Sequence, residues 1–117
     1  MRGTTLSALV LLIAVSSVTM HADERSDARA QVDFGIEVAQ RGLWKEAIYR
    51  WERAIELDPT YAAAWNNLAI SFERAGRLVE ALEAYENALD LEPNNLTIEQ
   101  NYDLFLEVND SVSQDSR

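Results

Sequence analysis

Few side chains in this sequence have the types and spacing that catalysis requires. There is no cysteine, which excludes thiol catalysis, disulfides and thiolate metal sites. The single histidine, His21, lies at the end of the N-terminal segment 1–22, and the serines cluster in that segment and in the tail, apart from Ser26 and Ser71. Because His21 lies at the boundary of the expected signal peptide, we expect the serines to lack the general base of a catalytic triad. We therefore predict that the protein is not an enzyme and uses no cofactor.

The carboxylates are the other candidates for chemistry. The chain has 20 acidic and 10 basic residues, a net charge of −10, which disfavours nucleic acid and anionic membrane surfaces as partners. The carboxylates scatter over positions typical of exposed helix faces. Residues 90–101 superficially resemble a calcium-binding loop, but Asn95 stands where that loop needs glycine and Asn101 where it needs a bidentate glutamate. We predict no metal site.

The first 22 residues have the layout of a secretory signal peptide. Arg2 precedes an apolar run, Leu6–Val15, which is half the roughly twenty residues of a membrane span. We expect the mature chain to begin near Asp23 and to be exported, to a bacterial periplasm by preference or as a secreted protein. Cleavage after Ser16 or Ser17 and an uncleaved membrane anchor are the alternatives.

From residue 26 onward the apolar residues recur at steps of three and four, which is the helical period. The spacing predicts an all-α chain of about five helices, near 26–41, 44–57, 61–75, 78–91 and 96–108. Short connections make neighbouring helices antiparallel. Residues 23–27 are expected to be a linker, and the polar residues 109–117 a disordered tail. Glu37/Arg41, Glu46/Arg50 and Glu73/Arg77 are predicted ion pairs at four-residue spacing.

The middle of the chain repeats itself with a period of 34 residues. The matched pairs include Gly42/Gly76, Ala47/Ala81, Ala54/Ala88 and Pro59/Pro93. Gly42 and Gly76 are placed to end helices in the left-handed conformation, while Thr60, Asn94 or Asn95 is placed to cap the following helix. A fixed period of this length indicates stacked helical units rather than one irregular core.

These residues resemble the tetratricopeptide repeat, a helix–turn–helix of the same length. The second unit, 62–95, matches at Trp65, Leu68, Ala69, Phe72, Gly76, Ala81, Tyr85, Ala88 and Pro93. The first unit, 28–61, matches less fully, with Gln31 in place of a large aromatic residue. The resemblance implies that Trp44, Trp51, Trp65, Phe72 and Tyr85 pack the core. Residues 96–108 resemble the family's capping helix, and Asp103 stands where a third unit would need a small residue.

The resemblance also implies a concave groove, lined by the first helix of each unit, that holds a peptide. The corresponding residues are Arg29, Val32, Asp33, Ile36 and Gln40 in the first unit and Ala63, Asn66, Asn67, Ile70, Glu73 and Arg74 in the second, with Gln100, Asn101 and Leu104 expected from the capping helix. Ile36 and Ile70 share one offset and have amides nearby, which suits peptide recognition. The alternative is a partly exposed or packed face with no ligand.

The family's clamp for acidic C-terminal tails needs lysine and asparagine where this chain has Val32 and Ile36, so that ligand is disfavoured. The resemblance favours an exported protein–protein interaction module that acts as an adaptor or scaffold on a peptide or protein segment. The alternative is a self-associating structural subunit of an envelope complex, such as a homodimer, because two units are few for a stable array.

Overall fold

The computed structural model describes residues 23–110, which form five helices and no strand. Helix α1 covers residues 23–40 of the described chain, followed by α2 (Trp44–Leu57), α3 (Ala62–Arg74), α4 (Leu78–Leu91) and α5 (Leu96–Val108). The predicted all-α architecture of helix–turn–helix repeats is confirmed. The expected signal peptide, 1–22, and residues 111–117 of the expected tail lie outside the described residues.

The turn inside each repeat depends on a glycine. Gly42 has φ 80° and Gly76 has φ 75°, both in the left-handed region where a side chain is strained. At the first turn, the N–H of Gly42 donates to the Ala39 carbonyl at 2.9 Å and the N–H of Leu43 donates to the Val38 carbonyl at 3.0 Å. Two of the last free carbonyls of α1 are thereby satisfied, which reverses the chain in three residues.

The turns that follow α2 and α4 use different side chains. The Asn95 side chain accepts hydrogen bonds from the backbone N–H groups of Thr97 and Ile98, so it caps α5 as predicted. The prediction that Thr60 caps α3 is wrong. Its backbone N–H and hydroxyl both donate to the Asp58 carboxylate, at 3.0 and 2.6 Å, so Thr60 belongs to a turn that Asp58 organises.

The expected linker, residues 23–27, is helical. Arg25 explains the difference, because its guanidinium pairs with Asp58 and donates to the Thr60 hydroxyl at 3.0 Å. It also lies 5.7 Å from the ring centroid of Tyr61. Burial opposes the ionisation of Asp58, but hydrogen bonds from Thr60 and Arg25 outweigh it and lower the pKa of that carboxyl. The start of α1 is thus fastened to the turn between the two repeats.

Small residues at the helix contacts let the helices approach closely, and large aromatic residues fill the space beside them. Ala47, Ala54, Ala81 and Ala88 are fully buried. Trp51 is 3% exposed and its indole N–H donates to the Val32 carbonyl at 3.2 Å. Tyr85 contacts Tyr102 and Phe105, with ring centroids 5.9 and 5.4 Å away. The predicted core role of the aromatic residues is confirmed for Trp51, Phe72 and Tyr85, which are buried, while Trp44 and Trp65 are half-buried against the core.

Within residues 23–110, every helix is too short or too polar to cross a membrane.

Gly35 offers a direct test of this packing. A Cβ on Gly35 would lie 2.4 Å from Nε1 of the buried Trp51 ring, closer than atoms can approach. We expect Gly35→Leu to lower the free energy of unfolding by at least about 2 kcal/mol, measured by urea denaturation. Ala30→Leu, at an exposed site on the same helix, is the control and should change it by less than about 0.5 kcal/mol. Equal stability of the two variants would contradict the close approach of α1 and α2.

Candidate functional site

The first helices of the repeats, α1 and α3, and the following helix α5 carry an exposed row of aliphatic side chains. Ile36, Ile70 and Leu104 are 40%, 36% and 58% exposed. They occupy corresponding positions, each 34 residues from the next. We call these three residues the aliphatic row. All three are groove positions expected from the sequence, Ile36 and Ile70 from the repeats and Leu104 from the capping helix, and α5 packs against α3 in the structure.

A pair of amides joins α3 to α5 beside the row. The side-chain N–H of Asn101 donates to the Asn66 side-chain oxygen at 3.2 Å. Asn66 is only 9% exposed, and Val32, its counterpart on α1, is 3% exposed. The prediction that Val32 and Asn66 line the groove is therefore wrong. Their position faces the neighbouring helices, so Val32 packs in the core and Asn66 forms an internal contact instead of meeting a ligand directly.

The remaining predicted positions stay near the surface. Arg29, Asp33 and Gln40 are exposed on α1, and Asn67 is half-buried on α3. Arg74 is exposed, with its guanidinium 4.5 Å from the ring centroid of Trp44. This cation–π contact holds the arginine along the surface of the first repeat. The helices that carry Ile36 and Ile70 therefore also carry exposed charges of both signs and partly exposed amides.

Glu73 has a different partner from the one predicted. It is half-buried and accepts a hydrogen bond from the Tyr85 hydroxyl at 3.1 Å. The predicted pair with Arg77 is wrong, because Arg77 donates to Glu80 at 2.7 Å. The other predicted pairs, Glu37/Arg41 and Glu46/Arg50, are confirmed at 2.5 and 2.9 Å. The sequence signal for this contact is Tyr85, which stands where the first repeat has Trp51. A buried tyrosine hydroxyl needs a hydrogen-bond partner.

In the segment that resembles a calcium loop, the polar side chains form hydrogen bonds within the turn between α4 and α5. A shallow depression of about 350 Å³ lies between Glu92 and Asn95. The Asn95 side chain caps α5 and also donates to the Glu92 carboxylate at 3.2 Å. Across residues 23–110, no three histidine, cysteine or carboxylate side chains converge to hold a metal ion. The polar groups of this turn serve to connect α4 to α5.

Family models match both repeats. One described as "Tetratricopeptide repeat" matches residues 62–95, and one described as "TPR repeat" matches residues 37–76. The chain is 33% identical over 73 residues to the chloroplastic tetratricopeptide repeat domain-containing protein PYG7 of Arabidopsis thaliana, covering 62% of this chain but 24% of that protein. It is 38% identical over 58 residues to an uncharacterized protein of Methanocaldococcus jannaschii, covering 50% of this chain and 67% of that one.

A solved structure, the crystal structure of MamA protein, superimposes with a TM-score of 0.64 at 28% identity. The match covers 73% of this chain and 46% of the MamA chain. The helical arrangement is thus shared with a solved protein, while the chain spans about a quarter of the plant relative and under half of MamA.

The contact between Tyr85 and Glu73 predicts that the free energy of unfolding depends on pH in the alkaline range. Burial, reinforced by the Glu73 carboxylate, raises the pKa of Tyr85 above its ordinary value. As pH rises past about 10, the unfolded chain loses the tyrosine proton first, so stability falls by up to about 1.4 kcal/mol per pH unit. We expect Tyr85→Phe to reduce this loss between pH 9.5 and 11, measured by urea denaturation at several pH values. Tyr61→Phe is the control, and equal pH dependence of the Tyr85→Phe variant and the parent chain would refute the prediction.

Proposed function

Because the chain belongs to the tetratricopeptide repeat family, we propose that it is a protein-interaction module that binds a peptide or protein segment across the aliphatic row. Binding, rather than catalysis, is its role in this proposal, and it acts as an adaptor or scaffold. The observation that supports the proposal is the row itself: Ile36, Ile70 and Leu104 repeat one exposed aliphatic position on α1, α3 and α5.

The row supplies affinity and the amides supply orientation. Fully burying an aliphatic side chain contributes about 1.5–3 kcal/mol, and Ile36, Ile70 and Leu104 have roughly half of their surface left to bury. Covering the row therefore contributes about 3 kcal/mol before the entropy cost of ordering the ligand. Asn67 lies beside Ile70, and an amide can donate to and accept from a peptide backbone at once.

The charges around the row disfavour a strongly acidic ligand. Val32, which stands where a clamp for an acidic tail needs lysine, is buried. Arg74 is held against Trp44, and Asp33 is exposed on the neighbouring helix. A ligand that lies across the row therefore meets both signs of charge, which suits an aliphatic segment with few charges of its own.

Selection of peptides from a random displayed library with the full chain tests this function. We expect selected peptides to be rich in aliphatic residues and to lose at least about tenfold in affinity for Ile70→Glu, because a carboxylate would then face the ligand's apolar side chains. Val79→Glu makes a similar change at a position on α4 that is 64% exposed and outside the row. It should bind the peptides like the parent chain.

Circular dichroism must show the same helicity and melting temperature for both glutamate variants. If folded Ile70→Glu captured the selected peptides as well as Val79→Glu does, the row would not be the binding surface. Ile36→Glu provides a second test on the other repeat, since a ligand that spans the row contacts both isoleucines.

The proposal includes export, to a bacterial periplasm or beyond the cell, with the protein acting in the envelope. It rests on the charged start and short apolar run of residues 1–22. We expect the full chain, expressed in a bacterium with a C-terminal tag, to be recovered from the periplasmic fraction with an N-terminus near Asp23, determined by mass spectrometry. Arg2→Glu should reduce export. Recovery of the intact chain only from the cytoplasm would contradict export, and intact chain in the membrane fraction would indicate the anchor.

A further inference from the structure

In each repeat, the second helix packs against the same four positions of the first helix. In α1 these residues are Ala28, Gln31, Gly35 and Val38, and in α3 they are Ala62, Trp65, Ala69 and Phe72. All are buried or half-buried. Trp51 of α2 fills the space next to Gly35, and α4 packs along α3. These positions therefore mark where a second helix docks on a first helix.

The same four positions in α5 are Leu96, Glu99, Asp103 and Leu106, and we call them the α5 face. Leu96 is 62% exposed, Glu99 and Asp103 are exposed, and Leu106 is half-buried. In the described part of the chain, no second helix covers this face. It combines two leucines with two carboxylates that lie one helical turn apart.

The charged residues along the chain around the α5 face are all acidic. From Leu78 to Asp110 the sequence has nine carboxylates and neither lysine nor arginine. The ion pairs formed by Arg25, Arg41, Arg50, Arg53 and Arg77 do not involve Glu99 or Asp103. A partner that desolvates this face must therefore bring its own positive charges.

We propose that the α5 face binds a helix of another protein, one with aliphatic side chains over Leu96 and Leu106 and with lysine or arginine opposite Glu99 and Asp103. A helix is the expected occupant because helices cover the same positions in both repeats. An aromatic side chain in the manner of Trp51 is excluded, since it would bury the Asp103 carboxylate without a partner. The proposed partner is therefore a basic amphipathic helix. Its lysine or arginine side chains occupy the place that Trp51 fills in the first repeat.

This interaction goes beyond the proposed function and uses another surface. Consecutive helical residues lie about 100° apart, so Asp103 and Leu104 face different sides of α5. Leu104 belongs to the aliphatic row beside α3, whereas Asp103 belongs to the α5 face. The chain can therefore hold a peptide on the row and a basic helix on α5 at the same time.

The test uses two synthetic amphipathic helices that share one leucine stripe. One has lysines on successive turns beside the stripe, and the other has glutamates at the same positions. We expect the full chain to bind the lysine helix at least about tenfold more tightly than the glutamate helix, measured by fluorescence anisotropy. Raising the salt concentration should weaken the lysine complex. The double variant Glu99→Lys/Asp103→Lys should reverse the preference.

The control is Glu52→Lys/Glu56→Lys, which changes the net charge equally at two exposed positions four residues apart on α2. It should keep the preference for the lysine helix, and so should Ile70→Glu, whose defect is confined to the aliphatic row. If both double variants behaved alike, binding would depend on net charge and the proposal would fail. Loss of the lysine helix in Ile70→Glu would place that helix on the row and would equally overturn the proposal.

A second copy of the chain is the competing occupant. Light scattering of the full chain distinguishes it: a dimer that Glu99→Lys/Asp103→Lys converts to a monomer would show that the α5 face binds another copy, which would overturn a basic helix as its partner. A monomer that binds the lysine helix, with the reversed preference in the double variant, supports the proposal.

Discussion

The close approach of the two helices in each repeat is the constraint on which the rest of the structure depends. Gly35 leaves no room for a side chain because the Trp51 ring occupies that space, and the corresponding residue of α3, Ala69, is fully buried. Where the helices approach this closely, the aromatic residues beside them can fill the interior without voids. Each repeat then becomes a rigid unit, and stacking such units repeats every surface position at a fixed offset.

The aliphatic row follows from that regularity. One position of the repeat faces outward from every first helix. Aliphatic residues at that position of successive helices therefore form a row on packed helices, without a loop. The hydrogen bond from Asn101 to Asn66 joins α5 to α3, the helices that carry Leu104 and Ile70. A functional surface built this way has low conformational freedom to lose on binding, since its side chains stand on packed helices.

The sequence predicted the fold better than it predicted the contacts of individual polar side chains. The bounds of α2, α4 and α5 follow from apolar spacing, glycine and proline, because these signals are local and agree with one another. Local spacing could not reveal that Arg25 reaches Asp58, across 33 residues, and so turns an expected linker into helix. The same limit applies to Glu73, whose partner Tyr85 lies on another helix, and to Val32, whose burial depends on neighbours outside α1.

Asp103 determines which kind of helix can pack against α5. At the position where α1 has glycine and α3 has alanine, α5 has a carboxylate, which a close-packed aromatic residue would have to strip of water. The packing used in the first two units would therefore bury the Asp103 carboxylate at this position. The same carboxylate, together with Glu99 and the absence of nearby cations in the described chain, leaves the helix positions open to a partner of opposite charge. In the proposed interaction, the residue that prevents one kind of packing favours another, because its charge selects which helix binds there.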